Sequence, residues 1–207
     1  MLVSNLLLSK EKLTTISPYE CTKKALELIN KNKTLSIPVC IGDKFYGYIA
    51  KVNIYEFLLE KLEDREKLLL NTQVKELMKK DIPIVRPNEE LEDVTPLLAK
   101  RNIPFVGVVD KYNKFHGIIT YKAIFHEFTE ILGVNQGRRM SIITHEYKGQ
   151  LSKITKIIAQ NKGDVISIVV FNPKSAFNLR EIVVRIEEEN FDIILRKLKE
   201  AGFNVEI

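Results

Sequence analysis

The chain has 207 residues, 45% hydrophobic and 29% charged, with a net charge of +5 and a pI near 9.0. No apolar run nears the roughly 20 residues a membrane helix needs, and the opening MLVSNLLLSKEKL is charged too soon for a signal peptide, so the expectation is a cytoplasmic protein without membrane insertion. The basic excess is spread out, with 20 basic and 18 acidic residues up to Gly137 and 12 and 9 beyond it; this argues against a nucleic-acid partner, whose footprint is clustered, and suits a small anionic ligand.

In chain order, an entry segment Leu6–Lys12 leads to an extended run, Leu13–Ser17, which Pro18 stops. A helix is predicted over Cys21–Asn32, where Ala25, Leu26, Leu28 and Ile29 make an inward stripe. Ile37–Ile41 reads as a strand, Gly42-Asp43 as a turn and Phe45–Ala50 as the returning strand. A second helix follows over Val52–Leu62 with Ile54, Phe57, Leu58 and Leu62 inward, and Glu60–Lys67 reads as a charged linker.

The pattern then restarts. Thr72–Lys79 is a short helix, Ile82–Val85 a brief strand stopped by Pro87, and Leu91–Lys100 a helix with Leu91, Val94, Leu97 and Leu98 inward. Val106–Val109, the polar turn Asp110–Lys114 and Gly117–Thr120 make a hairpin that opens a further helix. Sliding the first copy by 69 positions brings Pro18 onto Pro87, Glu20 onto Glu89, Leu28 onto Leu97 and Val39 onto Val108. One extra hairpin residue makes the later offset 70, placing Phe45 on Phe115, Gly47 on Gly117, Ile49 on Ile119 and Ile54 on Ile124. This is an internal repeat of a unit too small to bury its own core, so the two copies are expected to pack on each other.

Beyond the linker Val134–Gly137 the order is βαββαβ. Its parts are strand Met140–His145, turn Tyr147–Gln150, helix Leu151–Asn161 (Leu151, Ile154, Ile157 and Ile158 inward), strand Val165–Phe171, loop Asn172–Asn178, strand Arg180–Ile186, helix Phe191–Ala201 closed by Gly202, and strand Phe203–Ile207. That order is the ferredoxin-like one.

Two stretches carry a resemblance. Ile37-Pro38-Val39 with Gly47-Tyr48-Ile49-Ala50-Lys51-Val52-Asn53, and Val106-Gly107-Val108 with Gly117-Ile118-Ile119-Thr120-Tyr121-Lys122-Ala123, resemble the CBS domain pattern of an apolar–Pro step followed by Gly-apolar-apolar-Ser/Thr-x-x-Asp. Gly149-Gln150-Leu151 resembles the Gly-x-Leu turn of an ACT domain. The expected fold is therefore α/β (α+β), with tandem CBS domains at 1–66 and 67–135 forming a CBS pair and a C-terminal ferredoxin-like ACT domain at 138–207. Two CBS repeats followed by one ACT-like domain are similar to the acetoin-utilisation regulator type and to bacterial cyclic di-AMP-binding CBS proteins.

The resemblance implies adenine-nucleotide binding in clefts of the pair. By position it assigns Thr14, Thr15, Ile16, Ile37 and Pro38 to one cleft and Ile84, Val85, Arg86, Val106 and Gly107 to the other. The ribose position departs from the pattern, with Ala50 and Asn53 in the first copy and Thr120 and Ala123 in the second. An incomplete clamp on a ribose diol leaves room for a cyclic dinucleotide. Tyr121 follows Thr120, and Lys51, Lys122 and Arg86 are placed to meet phosphates, as are Arg138 and Arg139 beyond the repeat. Each has a plainer reading: strand core for Ile37 and Val106, a helix cap for Thr120, solvated cations for Lys51 and Lys122, and an exposed linker pair for Arg138-Arg139.

Catalysis has no motif behind it. His116, His126 and His145 have no metal-ligand spacing, His116 reads as a solvated turn residue, and Cys21 and Cys40 read as free thiols outside any C-x-x-C pair. No catalytic residue, metal or cofactor is expected. The expectation is a non-enzymatic regulator that binds cyclic di-AMP in the CBS cleft, forms a homodimer and signals to a partner protein still to be identified. The alternatives are an AMP- or ATP-sensing module and a ligand-free interaction protein.

Overall fold

The computed structural model describes residues 1–61, 63–100, 103–145, 148–172 and 179–207. The expected inward Leu62, the Tyr147 end of a turn, and most of the loop 172–178 lie outside the described residues. The chain forms two compact units, Met1–Phe125 and His126–Ile207.

The first unit contains the repeat. Its first copy holds α1 (Thr22–Lys31), the hairpin β2 (Ser36–Ile41) and β3 (Lys44–Ala50), and α2 (Lys51–Glu60). Its second holds β4 (Ile84–Val85), α5 (Leu91–Lys100), the hairpin β5 (Phe105–Val109) and β6 (Phe115–Thr120), and the start of α6 (Tyr121–Ile131). Strand register confirms the expected alignment. Ile37 faces Ile49, Pro38 faces Tyr48 and Val39 faces Gly47, while Val106 faces Ile119, Gly107 faces Ile118 and Val108 faces Gly117. Both hairpins carry a register shift at the same place, after Val39 and after Val108.

The two cores also match. Ile16, Ala25, Ile29, Ile37, Val39, Ile49 and Ile54 form one, and Val85, Val94, Leu98, Val106, Val108, Ile119 and Ile124 form the other. Each position is the partner of its counterpart under the 69–70 offset. Two further members reveal what the repeat pattern alone did not. Val74 packs in the first core and Val3 in the second, both fully buried.

The copies therefore exchange their leading segments. Val3 N–H donates to Glu89 O (2.9 Å), Ser4 N–H to Pro87 O (3.1 Å), and Leu91 N–H to Met1 O (2.8 Å). The same bonds recur as Val74 N–H to Glu20 O, Lys75 N–H to Pro18 O and Thr22 N–H to Thr72 O, each 2.9 Å. The strand β1 (Leu8–Ser9) adds to the edge of β6, and Lys79 bridges Tyr48 at the matching edge of β3. Each leading segment brings an apolar residue and unpaired backbone groups, and the other copy offers a groove and an open edge for both.

The stretch read as a charged linker contains instead a helix, α3 (Arg65–Asn71), followed by the short α4 (Val74–Leu77). Asp64 caps α3, its carboxylate accepting from Glu66 N–H (2.8 Å) and Lys67 N–H (3.1 Å). The run of charges hid a sound start signal, an Asp ahead of a leucine run.

The second unit has the βαββαβ order. It comprises β7 (Arg138–His145), α7 (Gln150–Gln160), β8 (Val165–Phe171), β9 (Leu179–Ile186), α8 (Phe191–Glu200) and β10 (Asn204–Glu206). The sheet order is β10-β7-β9-β8, antiparallel throughout. Met140, Ile142, Ile182, Val184 and Ile186 meet Ile154, Ile158, Ile194 and Leu198 from the two helices. Leu151, expected inward, is 42% exposed in the first turn of α7, and the buried face of the helix is carried by Ile154 and Ile158. Among the described residues, no helix is long and apolar enough to cross a membrane.

Candidate functional site

Between described residues of the first unit lie a pair of cavities that the repeat relates. The first encloses about 800 Å³ and is walled by Ile37 and Pro38 of β2, Phe105 of β5 and Ile118 of β6. Thr14, Lys12, Thr120, Tyr121 and Lys122 stand around it. The second encloses about 500 Å³ between Tyr48, Ala50, Lys51, Asn53, Lys79 and Ile103. Leu35, Ser36 and Pro104 border both.

Each cavity is composite. The first joins the apolar–Pro step of the first copy to the helix start of the second, Thr120-Tyr121-Lys122. The second joins the helix start of the first copy, Ala50 to Asn53, to Ile103 and Pro104 of the second. The resemblance set Thr14, Ile37 and Pro38 in one cleft, and they share the first cavity; Thr120, Tyr121 and Lys122 of the second copy join them there. The side-chain packing of the two hairpins on each other, Cys40 and Tyr48 against Phe105, Phe115 and Ile118, is what brings them together, and no local pattern encodes it.

The expected residues divide accordingly. Thr14, Ile37, Pro38, Thr120, Tyr121 and Lys122 meet in the first cavity, and Ala50, Lys51 and Asn53 in the second. Thr15, Ile16, Ile84, Val85, Arg86, Val106, Gly107 and Ala123 line neither of these two. Ile16, Val85 and Val106 are core. Gly107 lies against the Phe45 ring, 2.9 Å from where a Cβ would stand. Arg86 is committed to the hairpin turn, donating to Val109 O (2.9 Å) and to Asp110 O. Arg138 donates to Asp192 Oδ1 (3.0 Å) and stacks on Phe191, and Arg139 faces Glu181 at 3.6 Å, all within the second unit. Phe105, Ile118 and Lys12 line the first cavity and lie outside the expected set, although Ile118, two positions before Thr120 on β6, shares its face of the strand.

The chemistry of the first cavity is that of an anion with a flat apolar part. Lys12 and Lys122 are its charged lining, and no carboxylate is among the described lining residues. Thr120 caps α6 by accepting from Ala123 N–H (3.1 Å), and a hydroxyl that accepts one bond still has a proton to give. The Tyr121 hydroxyl donates to Leu98 O (2.6 Å), which holds the helix start in place. In the second cavity Lys51 lies over the Tyr55 ring at 5.7 Å, and Asn53 Oδ1 is buried without a hydrogen-bond partner.

His116, expected to be solvated, pairs with Asp110 at 2.9 Å because the hairpin returns it beside the turn carboxylate. The hydrogen bond from His116, then the backbone N–H groups of Lys114 and Tyr112, pull the Asp110 carboxyl down to about 2. Cys21 and Cys40 are free, and burial pushes the Cys40 thiol up to about 12, which leaves it unreactive. Among the described residues, no group of three His, Cys, Asp or Glu is placed to hold a metal ion.

Residues 74–130 match the family model of the CBS domain, and the first copy repeats the strand register and core of the second. The chain is 22% identical to an uncharacterized protein of Methanocaldococcus jannaschii over 61% of its length. It spans 49% of that protein and 36% of a second one from the same organism, about half or less of these curated relatives. Among solved structures it is similar to Listeria monocytogenes CbpB in complex with c-di-AMP, at 26% identity and a TM-score of 0.55 over 61% of this chain and 94% of that one. It is also similar to CBSX2 in complex with AMP, at 23% identity and a TM-score of 0.55 over 63% and 97%.

Proposed function

We propose that this chain is a non-enzymatic sensor that binds cyclic di-AMP in the first cavity and changes its affinity for a partner protein in response. The observation that carries this reading is the cavity itself. It combines an apolar wall from both hairpins, two lysines, a capping threonine hydroxyl and no described carboxylate in about 800 Å³, a size usual for small-molecule sites. An adenine ring has flat faces for Ile37, Pro38 and Ile118, and phosphates suit Lys12 and Lys122. Ala123 stands where the CBS pattern has Asp. A ribose with both hydroxyls free loses its clamp there, whereas a cyclic dinucleotide, whose 3′ oxygens are esterified, has no diol to clamp. The ligand of the similar Listeria protein supports the same choice.

Signalling of this kind needs only differential affinity between two states of the protein. The second unit, which we read as ACT-like, is then the dimer contact or the element the partner reads. AMP or ATP is the second reading, favoured by the AMP complex of the similar CBSX2 fold. Thermal unfolding with cyclic di-AMP, AMP and ATP separates the two. A ligand at 100 times its Kd stabilises by about 2.7 kcal/mol, a rise of several degrees in Tm. A rise with cyclic di-AMP alone supports the first reading, a rise with AMP or ATP alone the second, and no rise with any of them refutes both.

A further inference from the structure

We infer that Tyr48 keeps a nucleotide base out of the second cavity, so that each chain takes one ligand, in the first. The inference rests on the nucleotide reading above and concerns how two related cavities came to differ. Under the repeat, Tyr48 in the second cavity stands where Ile118 stands in the first. The ring of Tyr48 packs edge-on against Phe105, with centroids 5.7 Å apart and planes at 66°, and only 8% of the residue is exposed.

The ring has little freedom to leave. Tyr48 N–H donates to Lys79 O (3.0 Å) and Tyr48 O accepts from Lys79 N–H (2.8 Å), so both sides of its backbone are pinned. Swinging the side chain out would forfeit the aromatic contact and open a void. The cavity it borders encloses about 500 Å³ against about 800 Å³ for its counterpart.

Three neighbouring differences act in the same direction. Ala50 replaces the hydroxyl of Thr120, and the lysines of the second cavity, Lys51 and Lys79, share it with the carboxylate of Glu56, where the first cavity has none among its described lining. Gly107, the counterpart of Pro38, is covered by Phe45 and drops out of the wall. The second cavity keeps one unmet polar demand, Asn53 Oδ1, which a donor far smaller than a nucleotide satisfies. The two cavities are thus one architecture with a large aromatic at the base position of one and a branched aliphatic in the other.

Isothermal titration calorimetry on the full chain, with cyclic di-AMP and with AMP, tests this. Wild type is expected to take one equivalent, and Tyr48→Ile, which copies the first cavity, a second and weaker one. Tyr48→Phe, which keeps the ring, should stay at one and guards against reading lost folding as lost exclusion. Ile118→Tyr is expected to weaken the wild-type equivalent at least tenfold while circular dichroism stays unchanged. Two equivalents in wild type, the second lost in Asn53→Ala, would overturn the inference and leave the nucleotide reading standing. One equivalent in both wild type and Tyr48→Ile would remove the role of Tyr48. No binding of either probe in wild type would bring down the nucleotide reading and this inference with it.

Discussion

Phe45 and Phe115 stack face to face, ring centroids 4.7 Å apart and planes 7° from parallel. The two are counterparts under the repeat, so a local two-fold axis runs between the rings and the copies meet where they are most alike. Stacked pairs contribute about 0.5–1.5 kcal/mol beyond burial. Phe115→Ala, at a fully buried ring, should destabilise the first unit by about 3–5 kcal/mol. A double-mutant cycle with Phe45→Leu, read by urea unfolding, should give a positive coupling; additive effects would mean the stack is incidental.

Gly47 and Gly117 hold the cross-copy edges. Both have positive φ, +138° and +148°, and a Cβ at either would stand 2.1 Å from a carbonyl oxygen, that of Lys79 or of Leu8. Gly47→Ala and Gly117→Ala should each cost upwards of about 2 kcal/mol, from strained backbone and displaced edge strand together. Thermal melts in which either variant matches wild type would contradict this.

The leading segment belongs to the fold of the second copy. Val3→Ala should cost about 1–3 kcal/mol although it lies two residues from the start of the chain, because its side chain is fully buried. Deleting residues 1–9 removes β1 and three exchanged backbone bonds and should lower Tm further. A truncated chain that melts like the full one would show the exchange to be dispensable.

Asp110 gives the first unit an acid-sensitive element. Its folded carboxyl, held near 2 chiefly by His116, lies below the ordinary value of 3.8. A depressed carboxylate stabilises the fold fully above its unfolded pKa, and that contribution is lost as the pH falls from about 4 towards about 2. In Asp110→Asn the slope of stability against pH in this window should flatten. Denaturant midpoints measured at half-unit steps would detect it, and an unchanged slope would assign the acid response elsewhere.

Thr120→Ala should cost about 1 kcal/mol as a lost helix cap. If the first cavity takes the ligand, it should also weaken binding severalfold, as should Lys122→Ala without any loss of stability. Titration of both variants beside Arg86→Lys, whose parent side chain is tied to the hairpin turn, would show whether the cavity discriminates; equal losses in all three would count against the assignment.

Much of this was legible in one dimension. Pro18 and Pro87, Gly47 and Gly117, and the alternation of β2, β3, β5 and β6 are local signals, since they rest on backbone restriction and side-chain periodicity that a short window contains. They determined the repeat and its offset, and the apolar runs from Met140 to Val205 did the same for the βαββαβ order of the second unit. The tertiary structure alone decided which halves make a cavity, where Val3 and Val74 go, and that Arg86 serves a turn. The first two depend on one copy satisfying open edges and apolar faces left by the other, whereas the Arg86 contact closes within the second copy. The energy of that match lies in contacts that run from 50 positions (Thr22 to Thr72) to 90 (Met1 to Leu91), where no spacing within either copy records the partner.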